Sequence, residues 1–324
     1  MIRAWQRLVR GLERTESGAS MAVVRVLTGA CVIRTVLAVW WAGAFDIVWQ
    51  DAAQGGYRRI AKGPFLVEWL GGPDAGLTWA LFLVTLGAAA LVTAGVGGPI
   101  LYRLLVFTTL QAFTGLVDLN PHAGGSYDEL LENVLWLLCL LGPTRTWSVD
   151  CRLQTGRWAS DAPVMFWPRL LVVFQAVLMY ATTGLQKVSF HWVPGGDLSA
   201  LYYILQQPTW QHRDNSWVAW VYPLTQIGTL VTWTWEVGAP LWGLAFIASV
   251  TGRWPRLVRW RVREVFFALG LLFHLTVALM MDIGSFTWAS LCLYPAFVHP
   301  HEWRALWDRT GGPTSGPADL ARRA

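Results

Sequence analysis

Residues 165–195 read MFWPRLLVVFQAVLMYATTGLQKVSFHWVPG, from Met165 to Gly195. Between Leu170 and Leu185 the only polar side chains are Gln175, Thr182, Thr183 and the tyrosine hydroxyl of Tyr180. An apolar run approaching about 20 residues is what a helix needs to cross bilayer hydrocarbon. The stretch therefore predicts a membrane span near 165–188, with Lys187 where the apolar run gives out. Helical spacing would put Tyr180, Gly184, Lys187 and His191 on one stripe. An ionisable group at the edge of hydrocarbon is costly, which makes Lys187 a functional candidate. The alternative is a lysine whose apolar stem snorkels to water and only marks the membrane boundary.

Working outward, the rest of the chain has the same character. Its 324 residues are 54% hydrophobic and 14% charged, against about 25% charged in a soluble domain. The 22 tryptophans suit the membrane–water interface, where the ring is apolar and its N–H stays wet. The expected fold is all-α, a polytopic membrane bundle of eight spans near 21–45, 76–96, 99–118, 128–143, 165–188, 230–250, 264–282 and 284–299. Pro223, Gly228, Gly238 and Pro240 interrupt 216–250, so its first half reads as an interfacial or re-entrant helix. Arginines cluster before the first span (Arg3, Arg7, Arg10, Arg14), between the fourth and fifth (Arg145, Arg152, Arg157) and between the sixth and seventh (Arg253, Arg256, Arg259, Arg261, Arg263), and again at the end (Arg304, Arg309, Arg322, Arg323). The other loops are acidic or balanced. Positive residues favour the cytoplasmic side, so both termini are expected in the cytoplasm and the protein in the plasma membrane. The net charge of +5 then reflects orientation and lipid contact, not nucleic-acid binding.

Three regions follow. Residues 1–20 carry an apolar stripe (Ile2, Trp5, Leu8, Val9, Leu12) opposite arginines, which predicts a basic amphipathic helix on the inner leaflet rather than a cleavable leader. Residues 21–300 form the transmembrane domain, and 301–324 a cytoplasmic, largely disordered tail. The outward stretches 46–75 and 189–216 are rich in aromatics. They read equally as a lid or as interfacial anchors.

Polar groups inside the spans are the remaining clues. Arg34 sits near mid-membrane and needs an acidic partner, Glu132 or Glu236, in a structural ion pair. Asp128 and Glu129 suit a helix N-terminus behind Ser126 as N-cap; Glu132 is not explained by capping. His274 lies mid-span, either a satisfied core group or part of a site. Lys187, Glu236, Glu132 and His274, from four different spans, suggest a polar chamber. The cysteines Cys31, Cys139, Cys151 and Cys292 have neither metal nor disulfide spacing and read as small core residues. No P-loop, GxGxxG, HExxH or GxSxG occurs.

The stretch from Tyr180 to Gly195 resembles the vitamin K-dependent γ-carboxylase superfamily, the HTTM (horizontally transferred transmembrane) proteins. Tyr180, Gly184, Lys187, Trp192 and Gly195 fill its pattern in register, and His191 falls within it. Trp147-Ser148-Val149-Asp150, and His274 followed by Gly284-Ser285-Phe286, are similar in support. Compact bacterial members akin to sporulation-delaying protein B, which mature a secreted peptide toxin, look most similar. The resemblance implies that Lys187 is the base toward a reduced quinone, menaquinol or vitamin K-like. It implies as partners the lipid bilayer, a small secreted peptide and a companion maturation protein. No counterpart of the carboxylase's lumenal propeptide-recognising domain is expected. Where the carboxylase has an Asn-His-Ser-Tyr-like stretch, this chain reads Gly124-Gly125-Ser126-Tyr127, with His122 out of register. Two other classes stay open: a non-catalytic partner for peptide maturation or export, and a transporter built on the broken helices near Gly228 and Pro240.

Overall fold

The computed structural model describes residues 11–309. Most of the expected interfacial helix over 1–20, and the tail beyond residue 309, lie outside these residues. Among the described residues, five helices are long and apolar enough to cross a membrane: Ala19–Trp41, Ala75–Ala94, Gly98–Val117, Trp167–Gln186 and Val262–Met280. The chain divides into two compact units, Val173–Thr287 and the residues on either side of it.

In the first unit, Gly11 and Leu12, at the described end of the expected interfacial helix, are helical, and β1 (Thr15–Ser17) after them pairs antiparallel with β2 (Pro163–Met165). Helix α1 (Ala19–Trp41) packs on α2 (Ala75–Ala94), α2 on α3 (Gly98–Val117), and α3 on α4 (Ser126–Leu141). Helices α2 and α3 are apolar on nearly every side, as expected of helices facing both protein and lipid; Leu83, Leu91, Ile100 and Leu104 are exposed along them. Their ends follow capping chemistry. Asp74 accepts the N–H groups of Gly76 and Leu77 at 2.7 and 3.2 Å to start α2, and Gly95, at φ +69°, ends it.

Several boundaries differ from expectation. The first span stops at Trp41 rather than residue 45, where the chain turns through Gly43 at φ +67°. Helix α4 has 16 residues, about 24 Å at 1.5 Å per residue and short of the roughly 30 Å of hydrocarbon. Its N-cap is Gly125, not Ser126. The Asp128 carboxylate reaches back to accept the Gly125 N–H at 3.0 Å, doing from inside the first turn what a capping hydroxyl would do. A short helix, α5 (Val149–Thr155), follows, capped by the Ser148 hydroxyl, which accepts the Cys151 N–H at 3.1 Å.

The chain passes from the first unit to the second inside α6 (Trp167–Gln186). In the second unit α7 (Ala200–Leu205) packs on α8 (Tyr222–Val237), and both α8 and α9 (Ala239–Thr251) pack on α10 (Val262–Met280). The expected single span over 230–250 is thus two helices. Gly228 lies inside α8 without breaking it, and Pro223 sits in its first turn, where a missing N–H costs nothing. The break comes at Gly238 because Pro240 has no N–H and its ring opposes the carbonyl four residues back, that of Glu236. The expected last span is also shorter, an eight-residue helix α11 (Phe286–Leu293) followed by a 3₁₀ turn over Tyr294–Phe297. Helix α12 (Pro300–Arg309) occupies the beginning of the expected tail.

Arg169 holds the first unit together and is fully buried. Its Nη1 pairs with Glu16 at 2.6 Å, and Nε and Nη2 donate to the carbonyls of Ala296 and Val298 at 2.7 and 3.1 Å. Arg34 lies over the Trp288 ring, 5.2 Å from its centroid; of its two expected partners, Glu236 is engaged by Lys187 instead. The four cysteines are free, with Cys31, Cys151 and Cys292 buried.

Candidate functional site

The site lies in the second unit, where α6 ends. Lys187 is the first residue beyond the helix. Its N–H reaches the Gly184 carbonyl at 3.2 Å and the Val188 N–H reaches that of Gln186 at 3.0 Å, so the chain has already left α-helical bonding. This corrects the stripe expected from the sequence: Tyr180 and Gly184 lie on α6, whereas Lys187 and His191 lie on the loop after it.

Gly184 is where α6 meets the end of α8. A Cβ there would stand 2.7 Å from the Val237 nitrogen and 2.8 Å from the Glu236 Cβ. Only a residue without a side chain allows the two backbones this close. One result is that Lys187 Nζ reaches Glu236 Oε2 in an ion pair, the two side chains being 18% and 3% exposed. The Trp192 ring closes the other side, with Nζ 4.6 Å from its centroid, within cation–π range. Of the two charges, only the cation suits the local field. A carboxylate in the last turn of α8 faces the negative end of the helix dipole, and the cation beside it offsets that.

One turn earlier on α6, the Tyr180 hydroxyl shares a 2.6 Å hydrogen bond with His274 Nε2 on α10, both residues being buried. The Tyr180 ring packs 4.5 Å from that of Trp235, the residue before Glu236. Consecutive residues of α8 thus contact Tyr180 and Lys187, and the two polar pairs share one helix end. Trp235 donates its indole N–H to the Phe266 carbonyl at 3.0 Å. The Phe273 ring lies 5.6 Å from Trp235 and 5.1 Å from His274. Phe273 also walls an apolar cavity of about 190 Å³ between α7, α8 and α10, lined by Leu201, Leu205, Val231, Leu272 and Met280.

His191 belongs to a different group. Its Nδ1 lies 3.0 Å from the Asp197 carboxylate and 2.7 Å from the Ser199 hydroxyl, with about half of its side chain exposed. Burial pushes the Asp197 carboxyl upward, but hydrogen bonds from Ser199 and His191 outweigh it and hold the group below the usual carboxylate range. Gly195 turns this loop at φ +97°. These residues fix the loop that carries Trp192 over Lys187.

Of the expected polar chamber, the second unit brings together Lys187 with Glu236 and Tyr180 with His274. Glu132 belongs to the first unit, on α4 near Asp118, Asp128 and Glu129, and takes a hydrogen bond from Thr114. The sequence reading missed the Tyr180–His274 bond and the part played by Trp235. It had one unused signal: an acidic residue four positions before a helix-breaking proline, at a helix end where carboxylates are disfavoured. Among the described residues no three His, Cys, Asp or Glu side chains gather as metal ligands.

The HTTM domain pattern matches residues 13–303. Neither a curated protein nor a solved structure shows significant similarity to the chain. The matched region covers most of the chain and includes Lys187, Glu236, His274 and the motif around Gly184, and on that basis the chain belongs to the HTTM family of the carboxylase-like membrane superfamily.

Proposed function

We propose that this protein is a plasma-membrane enzyme of the HTTM family that modifies a small secreted peptide, with Lys187 as the base and Glu236 as the group that sets its protonation. The observation that carries the reading is the Lys187–Glu236 contact beneath Trp192. An amine touching a carboxylate is not a free base, which differs from an isolated neutral lysine. In this reading the pair shares one acidic proton, which either Nζ or Oε2 can carry. Where water is excluded, two neutral partners compete with two charges, because each charge loses its hydration. With the proton on Glu236, Nζ is an amine with a free lone pair, able to take a proton from a weak acid beside it. Nζ is then an ammonium, and Glu236 returns to carboxylate by releasing its own proton to water at the exposed side of Lys187, which restores the ion pair.

The apolar cavity bordered by Phe273 has the lining that an isoprenoid quinone needs, since it offers hydrocarbon and aromatic surface with few polar atoms. Leu201, Leu205, Val231 and Met280 would hold the isoprenoid part, and His274 with Tyr180 stands behind Phe273. A reduced quinone would supply reducing equivalents together with an acidic hydroxyl. Trp192 shields Nζ from water, and the loop fixed by His191, Asp197 and Ser199 holds Trp192 in place.

The same reading includes eight crossings with both termini in the cytoplasm, α4 and α11 being completed by adjoining turns, and a relationship to sporulation-delaying protein B-like proteins. The flanking arginine clusters support it.

The test is mass spectrometry of peptides exported by cells carrying the wild type, Lys187→Ala or Glu236→Gln, with membrane levels of each variant matched. The expected result is loss of a defined mass change in both variants, at least about 100-fold as for removal of a general base. A non-catalytic companion of peptide maturation would process the peptide equally with Lys187→Ala, and that outcome would sink the enzyme reading.

A further inference from the structure

Among the described residues of the first unit, two arginines are fully buried, and they are treated differently. Arg169 meets a carboxylate, Glu16, at 2.6 Å. Arg25, on α1, does not. Its Nη1 donates to the Thr144 hydroxyl at 3.0 Å and its Nη2 to the Trp147 carbonyl at 2.6 Å. Its Nε is buried with no partner. The nearby carboxylate of Asp150 is turned to the Gly98 N–H, 2.5 Å away at the start of α3. A buried guanidinium without a contacting anion is costly.

Arg25 forms part of the wall of a cavity of about 150 Å³, with Arg145, Ser148, Asp150, Gln154 and Thr155. The backbone is shaped around it. Gly95 lies against the guanidinium: a Cβ there would stand 2.6 Å from Arg25 Nη1 and 2.6 Å from the Ser148 Cβ, at a φ of +69°. Arg145 adopts φ +48° on the rim. The positive N-terminal end of the 20-residue helix α3 faces the same space through Gly98 and Pro99. Charged groups in the wall are Arg25, Arg145 and Asp150, two positive and one negative, leaving one net positive charge. The volume suits a phosphate group with a few waters, a water's share of liquid volume being about 30 Å³. A larger groove of about 380 Å³ adjoins it through the shared residues Pro99, Pro143, Arg145 and Ala162, walled by Leu141, Val164 and Met165 with Arg103.

The geometry points to a binding site for a phosphate ester, the phosphate held by Arg25 and Arg145 and the organic part lying along the Leu141–Met165 groove. The site is separate from Lys187 and does not depend on the function proposed for it. It also gives a role to the Trp147-Ser148-Val149-Asp150 motif. Trp147 orients Arg25 through its carbonyl, Ser148 lines the cavity, and Asp150 fixes the start of α3 without contacting the guanidinium. The shared chemistry is a phosphate oxyanion, from an anionic lipid headgroup or from solution.

The experiment is thermal unfolding of the full-length protein in neutral detergent, titrated separately with short-chain phosphatidylglycerol, inorganic phosphate and short-chain diacylglycerol. The expected result is saturable stabilisation by phosphatidylglycerol and none by diacylglycerol, which lacks the phosphate. Stabilisation by phosphatidylglycerol alone assigns the ligand to the bilayer; an equal effect of phosphate assigns it to solution. Arg145→Asn, which removes the charge while tolerating positive φ, should raise the midpoint concentration about tenfold, the effect of one lost charge-assisted contact. Arg25→Lys keeps a charge but loses the planar fork, and should raise it at least as much. The proposal fails if neither phosphate-bearing compound stabilises the protein. It also fails if diacylglycerol stabilises as well as phosphatidylglycerol, or if both variants keep the wild-type midpoint. In that last case Arg25 serves only to clamp the loop.

Discussion

At the scale of single residues, Gly184 controls the candidate site without any chemistry of its own. Gly184→Ala forces a methyl against the Val237 nitrogen and Glu236 Cβ, separating α6 from α8. The expected cost is about 1–3 kcal/mol, typical of overpacking, read as a lower melting temperature in detergent. Activity should fall further than stability, because Lys187 no longer reaches Glu236. The Tyr180–His274 bond makes a second prediction. Tyr180→Phe removes the hydroxyl from a buried imidazole and should cost about 1–3 kcal/mol. Adding His274→Leu should recover part of the loss, which a double-mutant cycle of unfolding free energies measures. Equal, additive losses would show that the two side chains act independently.

At the scale of elements, the loops outside the spans are set by carboxylates that accept backbone N–H groups. Asp51 takes those of Ala53 and Ile60 at 2.9 and 2.6 Å, and these bonds hold its carboxyl below the usual range. A depressed native value means that the stabilisation is complete above the unfolded value of about 3.9 and is lost as pH falls through the native one. Hydrogen exchange over residues 51–60, corrected for its intrinsic pH dependence, should therefore accelerate below about pH 4, and Asp51→Asn should remove that step. The N-cap of α2 is similarly local: Asp74→Ala should cost about 1 kcal/mol, seen as a melting shift with the fold retained. The break between α8 and α9 shows why sequence punctuation needs chemistry to interpret it. Gly228 looked like an interruption and is not, and Pro223 marks the start of α8 after a 3₁₀ turn over Ser216–Val221. Glycine inside a helix costs only about 1 kcal/mol, and proline in a first turn has no N–H to lose. Pro240 is the effective breaker because its ring faces a carbonyl already in the helix.

At the scale of the whole chain, the described residues form two units, and the first depends on Arg169 joining Glu16 to the turn after α11. Arg169→Ala leaves the partly buried Glu16 without this partner and the Ala296 and Val298 carbonyls without their donor, and should cost about 3 kcal/mol. The paired change Arg169→Met with Glu16→Leu should be much milder in the same unfolding measurement. The proposed eight crossings predict that cysteines introduced at Ser160 and Asp197, in a background lacking the native four, label from opposite faces of the membrane. Labelling from the same side would contradict the arginine-based orientation.

What the sequence determined by itself is the class of structure and where most helices run. Inside hydrocarbon every backbone N–H and C=O must be satisfied nearby, so apolar runs of sufficient length become helices with little regard to what surrounds them. That is why the helices at 75–94, 98–117 and 262–280 appear within a few residues of where composition puts them. Only the tertiary structure decided which polar groups meet. Lys187 finds Glu236 at a separation of 49 residues, Tyr180 finds His274 at 94, and Arg25 finds Trp147 at 122. The sequence reading offered Arg34 either Glu132 or Glu236, put Glu132 in the chamber with Lys187, Glu236 and His274, and passed over Arg25 and Arg169. Helical periodicity specifies the direction of a side chain from its own axis, but which residue it faces depends on how closely two axes approach. Here that depends on features such as Gly184 and Gly95, where the absence of a side chain allows the contact.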